Sequence, residues 1–236
     1  DVPAGTDALR GDAPVLIDRD ALKAELHESI RVHAVLSYRK LWEALAYTDE
    51  DPDRPGYVVL LYTGWSLAAD DHGNGRSQWN REHVWAKSRG DFGTRPGAGT
   101  DLHLVRPTDV SMNGARSNLA FDDGGELYID GDGPTQCRRD HDSWEPRDAV
   151  KGDVARMLFY TAVRYEDDPD LELTEFVYGR NDKMPVHGVL STLMRWHAMD
   201  PPDDAERRRN DRIEEVQGNR NPFIDRPGLA EVLWGA

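Results

Sequence analysis

Apolar residues recur along this chain at spacings that predict helices toward both ends and short strands between them. Residues 21–36 place leucine and isoleucine side chains four apart on one face, after a capping Asp18 or Asp20, and so predict a first helix. Residues 38–47 predict a second helix. The apolar run at residues 57–64 suits a buried strand, because it is short and rich in valine and tyrosine.

The middle of the chain predicts two short strands and a helix, joined by polar or glycine-rich segments. In chain order these are a loop at residues 63–78, a strand at 78–85, a glycine-rich connection at 89–100, a strand at 102–106 and a helix at 108–118. Thr108 would cap the helix. The Asn113–Gly114 pair inside it costs about 1 kcal/mol of helix propensity, so we expect the pair to have another purpose.

The C-terminal half predicts mainly helices. Residues 147–165 carry an apolar stripe at four-residue spacing, which consists of Val150, Val154, Leu158 and Ala162. Residues 187–199 predict a further helix, and the charged residues 203–217 predict another that ends at Gly218. Helices are therefore expected to outnumber strands, in an α+β, mainly helical single domain with a small antiparallel sheet.

Composition narrows the class of protein. The chain has 236 residues and one cysteine, and no run approaches the roughly 20 apolar residues of a membrane-spanning helix. We expect a soluble protein without an intrachain disulfide or a four-cysteine zinc site. Asp and Glu number 44 against 29 Lys and Arg, and the net charge of -15 argues against a nucleic-acid coat protein. Residues 76–116, here called the basic island, are the exception, with seven basic and four acidic residues.

Within the basic island, Glu82 and His83 are adjacent in a predicted strand, where neighbouring side chains point to opposite faces. They can be an ordinary surface pair, or one can bind a metal ion while the other accepts or donates a proton. Asn113 can likewise be a turn residue or a ligand. His103 can be a second metal ligand or a buried strand histidine bonded to the backbone, with Asp101 orienting the loop or strand.

Four ordered motifs carry a resemblance to a known family. They are REHVWAKS at residues 81–88, DLHLVRPTD at 101–109, MNGARSN at 112–118 and RIEEVQGNRNPFID at 212–225. Together they resemble the endonuclease I family of nonspecific nucleases, within the ββα-metal (His-Me finger) group, over most of residues 20–227. The resemblance implies a single nuclease domain over residues 1–236. Its ββα-metal finger would span about residues 78–120, with N-terminal helices at about 18–48 and C-terminal helices at about 147–218.

The resemblance also implies a reaction. His83 resembles the general base that takes a proton from the attacking water, and the ordinary histidine pKa of ~6.5 leaves it largely neutral at working pH. Glu82 and Asn113 resemble the protein ligands of one Mg²⁺, for which Mn²⁺ or Ca²⁺ can substitute. The expected activity is metal-dependent, nonspecific endonucleolytic cleavage of DNA, and also of RNA, with 5′-phosphate products. A monomer without a membrane anchor would hold either substrate by its phosphate backbone.

Basic residues of the island are candidates for phosphate contact. Arg81, Lys87 and Arg106 are expected to bind substrate, and Arg89, Arg95 and Arg116 to take part in catalysis. Arg89 and Arg95 can clamp the phosphate or be solvated loop charges. Arg116 can contact phosphate or form an ion pair within the fold. Beyond the island, residues 207–209 predict a solvated helical face, and residues 217–223 predict a helix stop and packing corner.

Two rival functions stay open from the sequence. One is a nucleic-acid-binding module that kept the fold and lost the chemistry, which would lack the base or a ligand. The other is the DNase domain of a toxin, although no translocation segment or partner region is recognisable. The chain begins at Asp1 without Met, which fits a processed secreted or periplasmic protein, or a trimmed chain.

The acid excess predicts tolerance of salt. A nonspecific nuclease would gain affinity from a basic surface, so a net charge of -15 needs another cause. If that cause is a salty environment, Tm should rise from low salt to about molar NaCl, because screening relieves carboxylate repulsion, and cleavage should persist there. Melting and cleavage measured across this series test the idea. A flat or falling Tm, with activity lost by about a few tenths molar NaCl, would contradict it.

Overall fold

The structure, a computed structural model, describes residues 17–167 and 169–235. Its α-helices are α1 (Arg19–Ile30), α2 (Leu41–Thr48), α3 (Val110–Arg116), α4 (Lys151–Arg164), α5 (Leu190–Met199), α6 (Asp204–Gln217), α7 (Pro222–Asp225) and α8 (Leu229–Trp234). Its strands are β1 (Tyr57–Val59), β2 (Ser66–Ala68), β3 (Trp79–His83), β4 (Val105–Asp109), β5 (Ala120–Phe121), β6 (Glu126–Asp130), β7 (Gly133–Arg139), β8 (Ser143–Glu145), β9 (Glu172–Thr174) and β10 (Val186–Val189). The α+β class is confirmed. The expectation that helices outnumber strands was wrong, since the described residues form ten strands and eight α-helices.

The first helix is shorter than its apolar spacing predicts. α1 begins after the predicted cap Asp18, whose carboxylate accepts a hydrogen bond from a first-turn backbone N–H at 3.1 Å. It ends at Ile30 and not at Leu36. Beyond it the chain has no regular structure, and the backbone N–H of Ala34 donates to the carbonyl of Gln217 at 2.7 Å. The Ala34 N–H, which would donate within α1 if that helix were longer, thus forms a tertiary hydrogen bond to the end of α6.

The predicted strand at residues 57–64 forms only over its first three residues. β1 pairs antiparallel with β2, which lies in the segment predicted as a loop, and Gly64 turns the chain between them with φ of 70°. The residues after β1 are nevertheless buried, including Tyr62. The buried thiol of Cys137 donates to the Tyr62 carbonyl at 3.3 Å. Tyr62 is therefore held in the interior although it lies outside a strand.

β3 and β4 form an antiparallel pair in which Glu82 lies opposite Arg106. β4 begins at Val105, later than predicted. The chain before it turns around Asp101, whose carboxylate accepts from the backbone N–H of His103 at 2.9 Å. Such a local side-chain bond offers the backbone an alternative to the strand ladder. His103 is thus a buried turn residue and not a strand residue.

α3 follows β4 directly, so the chain order in this part of the molecule is strand, strand, helix. Its N-cap is Asp109, which accepts from the backbone N–H of Ser111 at 2.8 Å. Thr108, the predicted cap, is buried within β4. The helix carries the Asn113–Gly114 pair in its middle, as predicted.

A four-stranded sheet lies outside the basic island and was not predicted. Its strand order is β5-β8-β7-β6, with β5 parallel to β8 and the other pairs antiparallel. β9 and β10 form a further parallel pair. The small antiparallel sheet predicted near residues 76–116 is present as the β3–β4 pair, and the other sheets of the described residues were missed. β6 is exposed along most of its length, so it carries no clear alternation of buried and exposed side chains.

The C-terminal helices follow the prediction closely. α4 buries three of the four predicted stripe residues, and the fourth, Val150, lies in the 3-10 turn just before it. α5 starts at Leu190, because the preceding residues belong to β10. α6 ends as predicted at Gly218, which has the left-handed φ of 85°.

Buried ion pairs tie α6 to β4 and to the end of α2. The Asp49 carboxylate lies 2.6 Å from Arg106 Nε and 2.8 Å from Arg209 Nε, and Arg106 also lies 3.2 Å from Asp153 on α4. Asp49, Arg106 and Arg209 are all buried. The prediction that residues 207–209 form a solvated face was wrong for Arg209, because carboxylate and carbonyl acceptors on other elements draw it inward.

Arg156 and Glu206 form a second buried ion pair, between α4 and α6. Arg156 Nε and Nη2 donate to both carboxylate oxygens of Glu206 at 2.6 to 2.9 Å, and Arg156 Nη1 donates to the Asp200 carbonyl at 2.7 Å. Burial and the nearby Asp153 carboxylate raise the pKa of Glu206, whereas the guanidinium of Arg156 opposes that shift. Each charge therefore depends on the other for its stability in the interior.

One continuous cluster of buried apolar side chains runs from Leu26 in α1 to Leu233 in α8. Aromatic rings pack against one another at its C-terminal end, where Phe159 lies 5.7 Å from Phe223 and 5.0 Å from Trp234. Across the described ranges, no helix is long and apolar enough to cross a bilayer.

Candidate active site

An open cleft of about 470 Å³ lies beside β3, between α3 and the 3-10 turn Tyr38–Lys40. Its lining includes Tyr38, Trp42, Asn74, Asn80, Arg81, Glu82, His83, Lys87, Ser88, Asn113, Ser117 and Asn118. The structure therefore brings together the three residues predicted as base and cation ligands. It also places two of the predicted substrate-binding cations, Arg81 and Lys87, in the same cleft.

His83 is buried, and one of its ring nitrogens is fixed by the backbone. Nε2 lies 2.9 Å from the carbonyl oxygen of Gly99. Because a carbonyl can only accept, Nε2 carries the proton and donates, and the neutral ring keeps its lone pair on Nδ1. Nδ1 has no hydrogen-bond partner among the described residues. Burial, which disfavours the charged ring, lowers the pKa of His83 to about 3. His83 is thus a neutral imidazole with a free acceptor nitrogen at neutral pH.

The glycine-rich connection holds His83 in place. A Cβ on Gly99 would lie 2.7 Å from the carbonyl oxygens of both Gly93 and Arg95, so only glycine fits where the chain passes closest to itself. Phe92, also in this connection, is buried with its ring centroid 6.4 Å from that of His83. The sequence offered a flexible connection here, whose arginines either clamp the phosphate or are solvated loop charges. The structure instead shows a packed loop that orients the histidine.

Glu82 is buried, and only one of its oxygens is held by the protein. Tyr62 Oη donates to Oε1 at 2.6 Å, and Arg116 Nη1 lies 3.1 Å from the same oxygen. Burial raises the pKa of the carboxyl, and the Arg116 cation opposes that shift. Oε2 has no hydrogen-bond partner within the described part of the chain, and Glu82 lines the cleft. This carboxylate therefore has an oxygen available to a cation.

The side-chain amide of Asn113 has a defined orientation. Its Nδ2 donates to the carbonyl of Arg81 at 3.3 Å and to Asn80 Oδ1 at 2.7 Å. A backbone carbonyl can only accept, so the amide nitrogen of Asn113 must face Arg81 and the amide oxygen, Oδ1, points away from β3. Oδ1 is therefore a second oxygen available to a cation. The same reasoning fixes Asn80, whose Oδ1 accepts from Asn113, so that its Nδ2 is left as a donor in the cleft.

The alternation of β3 explains why Glu82 and His83 are adjacent. Asn80 and Glu82 share one face of the strand, where they contact Asn113 and Tyr62 respectively. His83 lies on the other face, where its ring stacks at 6.0 Å on that of Tyr38. Neighbouring side chains on a strand diverge, so the acid and the imidazole reach the cleft from different sides.

Arg81 and Lys87 supply positive charge to the cleft. The Arg81 guanidinium lies 3.6 Å from the ring centroid of Tyr38 and 3.7 Å from that of Trp42, and its Nη1 donates to the Tyr38 carbonyl at 2.7 Å. Burial lowers the pKa of both Arg81 and Lys87. The two aromatic rings hold Arg81 in one orientation, so that little conformational entropy remains to be lost when it meets an anion.

The structure does not bring three other predicted arginines into the cleft. Arg116 is fully buried and makes the ion pair within the fold that the sequence left open, so its assignment as a phosphate contact was wrong. Arg89 is buried and donates to the carbonyls of Asn118 and Tyr178 at 3.2 and 2.8 Å. Arg95 is exposed on the glycine-rich connection, outside the lining of the cleft. Arg89 is therefore held within the fold, whereas Arg95 lies on the exposed surface of the connection.

Arg106 and His103 also lie outside the cleft lining, where each contacts other parts of the fold. Arg106 is buried against Asp49 and Asp153, in a different cavity from the one that holds His83, so its assignment to substrate binding was wrong. His103 Nε2 lies 3.2 Å from the carbonyl oxygen of Asn219, and burial lowers its pKa to about 4. This is the backbone-bonded, buried histidine that the sequence offered as one alternative.

Several cleft residues were missed by sequence reasoning. In the lining they are Tyr38, Trp42, Asn74, Asn80, Ser88, Ser117 and Asn118, and the buried Tyr62, which bonds Glu82 from outside the lining, was missed as well. Tyr62 ends an apolar run and has no local sign of a polar role. Asn80 had a usable signal, because it precedes the Glu82–His83 pair by an even spacing and so shares the face of Glu82.

Comparison with known proteins covers nearly all of this chain. The Endonuclease I family model matches residues 19–228. The extracellular ribonuclease of Bacillus subtilis (strain 168) is 54% identical over 219 residues, which cover 91% of this chain and 74% of that protein. The extracellular ribonuclease of Bacillus amyloliquefaciens is 53% identical over 218 residues, with coverage of 91% and 74%. The residues matched by the family model include every residue of the cleft lining.

Proposed function

This chain belongs to the endonuclease I family and is a nuclease, and we propose that it is a metal-dependent endonuclease that hydrolyses DNA and RNA with little sequence preference. The observation that carries the proposal is the meeting of three available atoms in one cleft: His83 Nδ1, Glu82 Oε2 and Asn113 Oδ1. A module that only binds nucleic acid would have no need of all three. The name ribonuclease of both relatives supports RNA as a substrate.

The donor set of the cleft fits Mg²⁺. A carboxylate oxygen and an amide oxygen are hard ligands, and two protein ligands leave room for the waters and substrate oxygens that Mg²⁺ retains. Mn²⁺ and Ca²⁺ prefer the same oxygen donors and are expected substitutes. When bound, the ion would supply positive charge against the charge that develops on the phosphate and the leaving oxygen.

His83 acts as the general base in this proposal. Its Nδ1 accepts a proton from the attacking water, while the Gly99 carbonyl holds the Nε2 proton and so keeps the productive tautomer. The lowered pKa of His83 keeps Nδ1 unprotonated when substrate arrives. After the water attacks, the P–O3′ bond breaks and the leaving 3′ oxygen takes up a proton from water in the open cleft, so the products carry 5′-phosphates and 3′-hydroxyls.

Further donors in the cleft hold the phosphate backbone. Arg81, Lys87 and the free Nδ2 of Asn80 are all donors that line the cleft. Phosphate contacts of this kind carry no base information, which accounts for the low sequence preference we propose. β3, β4 and α3 would together form a ββα-metal finger, since they succeed one another in the chain and present the acid, the imidazole and the amide.

We also propose that the protein is secreted and acts as a monomer. Both relatives are named extracellular, and no residue from a second chain is needed to complete the cleft, because the base, the ligands and the cations all come from residues 80–113.

Removal of metal should abolish cleavage. Supercoiled plasmid and a single-stranded RNA, each incubated with the protein and Mg²⁺, should be cut to fragments of many lengths. Excess EDTA should stop both reactions, and excess Mg²⁺ added afterwards should restore them, since Glu82 and Asn113 provide oxygen ligands but no charge that replaces the ion. Gel electrophoresis and labelling of the 5′ ends measure the outcome. Full activity in EDTA would remove the metal from the mechanism.

A further inference from the structure

Two side chains that the proposed reaction does not use hold the same oxygen of Glu82. Tyr62 Oη donates to Oε1 at 2.6 Å, and Arg116 Nη1 lies 3.1 Å from it. Tyr62 and Arg116 have no exposed surface, and Glu82 is 2% exposed. The two carboxylate oxygens are therefore unequal, because Oε1 has two donors from the protein while Oε2 has none among the described residues.

Arg116 cannot follow Glu82 to a new position. Its Nη1 donates to the His83 carbonyl at 3.0 Å, and its Nη2 donates to the Val84 carbonyl at 2.6 Å and lies 2.7 Å from His187 Nε2. The guanidinium is planar, so these contacts at the end of β3 fix the direction of every N–H. Backbone carbonyls at the end of β3, the strand that carries Glu82, therefore fix the position of the Arg116 N–H that faces Glu82.

Tyr62 is fixed as firmly. Its ring packs edge-on against Trp144 with centroids 5.4 Å apart, and its backbone carbonyl accepts from the Cys137 thiol. Its hydroxyl therefore reaches Glu82 from a side chain that is itself anchored in the core. Two immobile donors on one oxygen leave the carboxylate with one orientation in the cleft.

We propose that Tyr62 and Arg116 are positioning residues that occupy Oε1 of Glu82, so that the cation binds this carboxylate through Oε2 alone. The inference rests on the proposed function and specifies the binding mode of its ion. Attachment through one oxygen suits the small octahedral Mg²⁺, whereas Ca²⁺ more often takes both oxygens of a carboxylate. The clamp on Oε1 therefore favours Mg²⁺ over Ca²⁺.

The test compares Tyr62→Phe with the wild-type protein. Isothermal titration with MgCl₂, without substrate, should give a Kd weaker by about 10- to 100-fold, as for other groups that orient a metal ligand. The Mg²⁺ concentration for half-maximal cleavage should rise by a similar factor, while turnover at saturating Mg²⁺ should stay within about threefold. Tyr165→Phe is the matched control. It removes a buried tyrosine hydroxyl from Asp101, at 3.0 Å, outside the cleft, and should leave the Kd for Mg²⁺ unchanged.

A second variant keeps the test decisive if Tyr62→Phe is poorly folded. Arg116→Lys retains the positive charge but loses the planar fork, and its Kd for Mg²⁺ should also be weaker than that of the wild type. Variants that fold and bind Mg²⁺ as tightly as the wild type would overturn the positioning role and leave the nuclease proposal intact. A wild-type protein that binds no Mg²⁺, or that cleaves fully in EDTA, would overturn both.

Discussion

His83→Ala should lower turnover by about 10²- to 10⁴-fold, the usual loss when a general base is removed. The variant keeps Glu82 and Asn113, whose available oxygens lie on groups held by Tyr62, Arg116 and β3 and not by the imidazole. Its affinity for Mg²⁺ should therefore stay near that of the wild type. Initial rates of plasmid cleavage at saturating Mg²⁺, together with titration of the ion, measure the two quantities separately.

The control for this variant is His141→Ala. His141 has an 88% exposed side chain and lies outside the cleft, so its loss should leave turnover unchanged. Glu82→Ala and Asn113→Ala should show the opposite pattern to His83→Ala, with weaker metal binding that higher Mg²⁺ partly rescues. If His83→Ala kept the turnover of the wild type, the base would have to be another group.

Arg156→Met should destabilise the fold by about 3 to 5 kcal/mol, the range found when one partner of a buried ion pair is removed. Glu206 would lose the donors to both of its oxygens in a site where it is 4% exposed. It would then have to take up a proton or open the contact between α4 and α6. Chemical denaturation at neutral pH, analysed for the free energy of unfolding, measures this effect.

Two further variants show how much of the stability lost in Arg156→Met comes from the unpaired charge and how much from lost packing. Arg31→Ala breaks the exposed pair with Glu28 and should cost less than about 1 kcal/mol. Arg156→Met combined with Glu206→Met removes both charges, and should be more stable than Arg156→Met alone, because no uncompensated carboxylate is left in the interior. A single variant within about 1 kcal/mol of the wild type would show that this ion pair is not needed for stability.

The meeting of the proposed base and ligands in one cleft could be predicted from the sequence because these residues lie in short motifs. Adjacency in a strand separates Glu82 from His83 in direction, and the Asn113–Gly114 pair inside a helix signals a purpose other than helix stability. The arginines could not be assigned in this way. Arg89 and Arg116 find their partners at Tyr178 and His187, and a charge in a local motif does not reveal acceptors that far along the chain.

The fold shows the same division between local and distant causes. Caps such as Asp18 and Gly218 mark helix ends correctly, since cap and helix are neighbours in sequence. The chain after Ile30 leaves the helix because it forms a backbone hydrogen bond to Gln217. The sheet that contains β5 to β8 likewise depends on strands that meet only after folding. Apolar periodicity carries no information about either pairing.

The burial of Cys137 makes this protein convenient for site-specific labelling. The thiol has no exposed surface, and burial raises its pKa to about 11, so almost none of it is thiolate at neutral pH. Thiol reagents should therefore leave the native chain unmodified. A cysteine introduced at Ser117, an exposed residue on the rim of the cleft, would be the one reactive thiol. A fluorophore attached there would report the arrival of nucleic acid beside His83 without any background from the interior.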